Sequence, residues 1–182
     1  MRQLGVAPLL HSAVRHTRPS LGHRKSREKF LKPAVIRVNY SGPASAAIHN
    51  HHMEHLTPKA AWALLQADPS ATLLDIRMEI EALYVGGPPG AVHVPWYEYP
   101  DLSVNPERFA AQVKAEVRDL AAPLLLLCRS ARRTIPAGAA LEAAGYSRVV
   151  NILHGFEGDM DAHHHRSTIN GWRFDGLPWV QS

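Results

Sequence analysis

Cysteine is almost absent: Cys128 is the single one among 182 residues. No disulfide can form within the chain, so the fold must stand on its apolar core and nothing points to an oxidising compartment. The expected setting is cytoplasmic. Long apolar runs are missing as well, since the longest, Leu120 to Cys128, falls far short of the ~20 residues a membrane span needs. No membrane partner is expected. Near the start, Leu4 to Leu10 is short, interrupted by Pro8 and not followed by a small-residue cleavage pattern, which argues against an export signal. Acidic residues are scarce in the first 52 positions, with Glu28 alone against nine Lys and Arg of the chain's 20. The rest holds eleven basic and fifteen acidic side chains and is mildly acidic. The basic balance therefore belongs to the front segment and does not mark a nucleic-acid-binding domain.

Residues 1–52 show no sustained period and combine scattered Arg and His with Pro19, Pro33, Gly42 and Pro43. They read as a disordered or weakly ordered extension, with a short strand at Val35–Val38. Their Arg- and Ser-bearing, acid-poor composition resembles an organellar transit peptide. The alternative is a leader ahead of a true start at Met53.

From Met53 onward, residues 53–182 read as one domain. Thr57 followed by Pro58 is an N-cap with proline in the first turn, and Ala60, Ala61, Leu64 and Leu65 continue a helix that ends before Asp68-Pro69. Thr72–Ile76 has the length and apolarity of a buried strand, Gly86–Gly90 is a turn, and Ala91–Val94 a second strand. Pro106 opens a helix expected to run to about Leu120, with Phe109, Val113 and Val117 on one face. Strand Leu124–Leu127, loop Cys128–Arg133 and helix Thr134–Ala144 follow, then strand Arg148–Ile152. Strands alternating with helices imply an α/β domain: a central parallel sheet flanked by helices on both faces. In such sheets ligands sit at the carboxyl ends of strands, and Cys128 is expected at that edge, closing the most apolar strand.

Ser130 and Ala131 are small enough for the backbone to curl after Cys128, and a helix starts at once. Several N–H groups can then point at the sulfur, forming an anion nest at a helix N-terminus. Arg129, Arg132 and Arg133 add positive field. Both effects favour thiolate over thiol, and the thiolate is the nucleophile. The competing reading is an inert cysteine acting as a small hydrophobe at a strand end. Three arginines in the next five residues argue against it. One of them, Arg132 by preference, is expected to point into solvent.

Cys128-Arg129-Ser130-Ala131-Arg132-Arg133-Thr134 resembles the active-site loop of the rhodanese family, usually written C-R-S-G-x-R-S. Asp75-Ile76-Arg77 resembles its D-x-R, and Gly90-Ala91-Val92-His93-Val94-Pro95 its G-A-x-H-I-P. Asn151 to Gly158 parallels the segment that usually ends in G-G, and Gly171-Trp172 with Gly176-Leu177-Pro178-Trp179 the closing W-x-x-x-G-L-P. Each match is weak alone, but they run in family order from Thr57 to Trp179. Ala131 stands where the family often has Gly, so the loop must avoid positive φ there or accept strain. The Gly pair becomes His154-Gly155, and Asp161 to Asn170, with His163, His164 and His165, looks like an insertion.

The resemblance implies a single-domain rhodanese-like sulfurtransferase. Cys128 would take the outer sulfur of thiosulfate as a persulfide and pass it to cyanide or a thiol. Arg129 and Arg133 would bind the anionic donor, the backbone from Arg129 to Thr134 would hold the persulfide, and Ser130 would add a hydroxyl donor. Asp75 and Arg77 would be a structural ion pair behind the loop. No cofactor and no metal is implied. The alternatives are a relay module exchanging persulfide with a protein partner, and a cysteine-dependent phosphatase or arsenate reductase. Related phosphatase domains use Cys-x5-Arg, whereas Cys128 to Arg133 is Cys-x4-Arg, a smaller cradle better suited to sulfur than to phosphate. The histidines at 49, 51, 52 and 55 and at 163–165 lack the helical spacing and carboxylate partner of a catalytic zinc site. Trp96, Trp172 and Trp179 read as core or pocket wall rather than a base-stacking platform.

Overall fold

The computed structural model describes residues 53–181. The expectations for residues 1–52, including the Val35–Val38 strand and the first three histidines of the front cluster, lie outside the described residues. Five strands form one parallel sheet: β1 (Glu54–Leu56), β2 (Thr72–Asp75), β3 (Val92–His93), β4 (Leu124–Leu127) and β5 (Val149–Ile152), in the order β1-β5-β4-β2-β3. The helices are α1 (Pro58–Ala67), α2 (Glu79–Val85), α3 (Pro106–Glu116) and α4 (Thr134–Ala143). No helix among these residues is long and apolar enough to cross a membrane.

Central position explains the composition of β4. All four leucines are buried, because helices cover both faces of the sheet and side chains alternating between the faces meet core on either side. Burying each contributes about 1.5–3 kcal/mol. Leu73, Leu125, Leu127 and Ile152 face α1 together with Phe156 and Trp172. Leu74, Leu126 and Val149 face the opposite layer, with Phe109 and Val113 of α3 and Ala137 and Leu141 of α4. Trp96 and Trp172 are buried core residues, as expected.

The helix ends follow local chemistry. Thr57 Oγ1 accepts from the Ala60 N–H at 3.3 Å, and Asp68 leaves α1 in an extended conformation, as the following Pro69 demands. Asn105 caps α3 by accepting from the Arg108 N–H at 2.8 Å. That helix stops at Glu116 rather than near Leu120. Val117 is extended (φ −119°, ψ 95°), and its carbonyl accepts from the buried Tyr146 hydroxyl at 2.6 Å.

Two elements escape the sequence reading. β1 is a three-residue edge strand with two polar residues. α2 buries none of its residues, and its large apolar side chains Ile80, Leu83 and Tyr84 are exposed, so no core contact marks it out.

Candidate active site

β4 ends at Leu127, one residue before the cysteine. Leu127 lies in register with Asp75 on β2, so the sulfur leaves from the centre of the sheet's carboxyl edge. The chain then curls through residues 128–133 into α4. Ala131 accepts the strain that the sequence left open, with φ +62°. Among the described residues, no N–H from Arg129 to Ile135 has a protein acceptor. Pro136 contributes no N–H, and the Arg133 side chain does not cap the helix. The loop is thus a row of seven unpaired amide donors beginning next to Cys128.

A second segment fixes that loop from below. Phe156 N–H donates to Cys128 O at 2.8 Å and Glu157 N–H to Arg129 O at 2.9 Å. Gly155 passes so close that a Cβ there would lie 2.3 Å from Cys128 O and 2.8 Å from Ser130 N. Gly155 has φ +62° and its neighbour His154 +64°, so the segment that parallels the family's G-G follows a left-handed path here with histidine in first place.

The arginines divide by role. Arg129 and Arg132 are exposed, which extends the expectation for Arg132 to a second side chain. Arg133, expected to bind the donor, is committed elsewhere: its Nη1 and Nη2 donate to the Glu81 carboxylate at 2.6 and 2.7 Å, and its guanidinium lies 5.4 Å from the Tyr97 ring centroid. Burial works against the Arg133 charge, but the bonds to Glu81 outweigh it and raise its proton affinity. Burial likewise pushes the Glu81 carboxyl up, and the bonds from Arg133 and the Met78 N–H more than reverse that. Thr134 is buried and turns its hydroxyl away, to Asn151 Oδ1 at 2.6 Å.

Asp75 and Arg77 form the expected anchor. Arg77 is fully buried; its Nε donates to both Asp75 oxygens at 2.9 and 3.0 Å, and its Nη2 donates to Gly86 O at 2.8 Å. Nη1 has no partner, and the guanidinium stacks 4.2 Å from the centroid of the Phe156 ring. This links the anchor to the segment that supports the loop.

Cys128 is 1 % exposed and packs among apolar neighbours, a burial that the competing reading of a small hydrophobe at a strand end also describes. Sequence reasoning missed Glu81, and it named Gly155 and Phe156 only as parts of a family-like segment, without their contact with the cysteine loop. Their only signal was a glutamate four residues past Arg77 and a glycine beside a histidine, both of which acquire meaning through contacts far along the chain.

The stretch that reads as an insertion is a closed turn centred on Asp161, whose Oδ1 accepts from the N–H groups of His163 and His165 at 2.8 and 2.9 Å. Among the described residues no group of His, Cys, Asp and Glu is arranged to hold a metal ion.

A parallel α/β sheet whose central strand delivers one cysteine to a tight loop and helix defines the class. The Rhodanese-like domain model matches residues 57–162, and the chain belongs to that family. Rv0390 from M. tuberculosis, known from a crystal structure, is 37 % identical with a TM-score of 0.63, covering 70 % of this chain and 97 % of its own. A protein of Rickettsia conorii is 26 % identical over 132 residues, 70 % of this chain and 97 % of that one. The polysulfide-sulfur transferase homodimer of Wolinella succinogenes shares the fold at 24 % identity and a TM-score of 0.50, covering 71 % and 80 %.

Proposed function

We propose that the protein is a sulfurtransferase that carries sulfane sulfur as a persulfide on Cys128. One observation carries the reading: the seven unpaired N–H donors from Arg129 to Ile135, in a loop that begins at the cysteine. A persulfide extends one atom beyond the enclosed Sγ, and its terminal sulfur is anionic, the species such a nest stabilises.

The donor suited to this site is a small anion such as thiosulfate, drawn in by Arg129 and Arg132. The Cys128 thiolate attacks the outer sulfur, the sulfur–sulfur bond of the donor breaks, and sulfite leaves with the electron pair. Cyanide or a thiol then attacks the outer persulfide sulfur, and the Cys128 thiolate is released. No step calls for a metal or organic cofactor. Arg133, paired with Glu81, positions the loop rather than the donor. The Cys-x4-Arg spacing supports sulfur over phosphate chemistry, and the lone thiol suits a cytoplasmic setting.

A protein sulfur donor or acceptor is the second reading. It is favoured by Ile80, Leu83 and Tyr84, large exposed apolar side chains on α2, the helix whose Glu81 holds Arg133.

The test is thiocyanate formation from thiosulfate and cyanide by the wild type and Cys128→Ser, alongside a phosphate-ester assay. The wild type should gain the mass of one sulfur atom on Cys128 with thiosulfate, and the substitution should abolish both this and turnover. Turnover surviving in Cys128→Ser, or dominant phosphate release, would overturn the proposal. Slow loading by thiosulfate and fast loading by a persulfidated protein would favour the relay.

A further inference from the structure

A polar chain, buried at Thr134 and Asn151 and half-buried at His55, connects the loop to the far edge of the sheet. Thr134, first residue of α4, donates its hydroxyl to Asn151 Oδ1 at 2.6 Å. Asn151 lies in β5, and its Nδ2 is 2.9 Å from His55 Nδ1 on the edge strand β1. Strand register pairs His55 with Asn151. Alternation puts both on the face that α4 covers, while Glu54 projects to the other. Thr134 and Asn151 are both buried, so neither can replace a lost partner with water.

The chain has a direction. Thr134 donates to the amide oxygen, the amide nitrogen offers only hydrogens, and His55 Nδ1 must therefore be an unprotonated acceptor. His55 is then neutral, with its proton on Nε2. A proton on Nδ1 would set two donors face to face. The amide would have to turn over, and the Thr134 hydroxyl hydrogen would lose its acceptor. Burial lowers the proton affinity of His55, with no charged neighbour contributing. On this face β5 brings no titratable group, and α4 brings only Glu142, two turns beyond Thr134. The loop ahead of α4 carries Arg129, Arg132 and the Glu81-paired Arg133.

We propose that Thr134, Asn151 and neutral His55 form a positioning relay that fixes the first turn of α4, and with it the amide cradle of Cys128, and that this hold loosens when His55 takes up a proton. The proposal rests on the sulfur-transfer reading only for the use to which the cradle is put.

The test uses the full chain and two readouts. One is amide hydrogen exchange at Ala137, whose N–H bonds Arg133 O at 3.2 Å and reports the first turn without reference to chemistry. The other is thiocyanate formation. His55→Leu and Thr134→Val should lower Ala137 protection and transfer by about tenfold, the scale set by leaving a buried hydroxyl or amide without its partner. His55→Gln supplies a non-titrating acceptor, so it should keep the protection at neutral pH and abolish its fall in acid. An NMR titration should place the wild-type His55 midpoint below its ordinary 6.5 and move it above that value in Asn151→Asp, whose carboxylate accepts from both sides. The relay is overturned if His55→Leu and Thr134→Val stay within about twofold of wild type in Ala137 protection. It is equally overturned if His55→Gln fails as badly as His55→Leu, or if Asn151→Asp leaves the midpoint unmoved. A failure of the sulfur-transfer reading would show instead as turnover independent of Cys128 with Ala137 protection still responding.

Discussion

Gly155→Ala tests how closely the support segment sets the geometry of the cysteine loop. The new Cβ would stand 2.3 Å from Cys128 O, and separations under 3.0 Å essentially never occur for real Cβ atoms. The two backbones must therefore part by about 0.7 Å, since close-packed interiors do not absorb such an overlap. That movement stretches the bonds from Phe156 N–H and Glu157 N–H, now 2.8 and 2.9 Å, to the limit of hydrogen bonding. Each is worth about 0.5–1.5 kcal/mol. Alanine at φ +62° adds roughly 1–2 kcal/mol, so the loss should total about 2–5 kcal/mol. Turnover should fall further than stability implies, because a misplacement near 1 Å can cost on the order of 10²-fold. Gly90→Ala is the matched control: its φ is +75° and nothing lies within 4 Å of an added Cβ, so it carries the conformational cost alone. Urea unfolding and thiocyanate formation measure both variants. Equal loss of stability and activity in the two would refute the claim that Gly155 shapes the site.

Three further outcomes follow from the charged and polar groups. Asp75→Asn leaves the wholly buried Arg77 without its counter-charge and should cost about 3–5 kcal/mol in urea unfolding; a loss below about 1 kcal/mol would show that Phe156 and Gly86 suffice to hold Arg77. The Glu81 carboxyl is held below its ordinary 4.5, so its contribution to stability is full above that value and disappears as pH falls through the folded value. Thermal melts across the acid range should show this loss in the wild type and a flatter profile in Glu81→Gln. Arg132→Gln should raise KM for thiosulfate and weaken its dependence on salt, as expected for an exposed steering charge, with kcat less affected than KM.

Much of this arrangement was legible in the sequence because local chemistry decided it. The unbroken leucines of β4 and the apolar runs of β2 and β5 announce strands covered on both faces, and Thr57-Pro58 and Pro106 announce helix starts. The pairing of Asp75 with Arg77 was implied by the family resemblance rather than by local chemistry, and the two side chains do meet in a buried ion pair. What could not be read depends on partners far away in sequence. The register of α2 comes from Glu81 meeting Arg133, 52 residues later, rather than from an apolar face. β1 is short and polar because it lies at an edge, and its His55 acquires a role only beside Asn151. The commitment of Arg133 to Glu81, which leaves Arg129 and Arg132 as the exposed charges of the loop, follows from the same long-range pair.

Ala131 shows where local reasoning reaches its limit and can still be tested. Sequence alone posed a choice between avoiding positive φ and accepting strain, and the loop adopts φ +62°. A non-glycine residue there costs roughly 1–2 kcal/mol. Glycine removes that cost and adds about 0.5–1 kcal/mol of backbone entropy on folding. Ala131→Gly should therefore stabilise the protein by up to about 1.5 kcal/mol in urea unfolding. The sign is informative, because the only feature of alanine that could offset the strain is contact made by its methyl group, and Ala131 is half-buried. A clear destabilisation would mean that this methyl packs against the loop and that the strain is compensated on the spot. A gain would mean that the strain is borne by the supports beneath, the Gly155 contact and the two bonds from residues 156 and 157, which hold the loop in a path its own sequence resists.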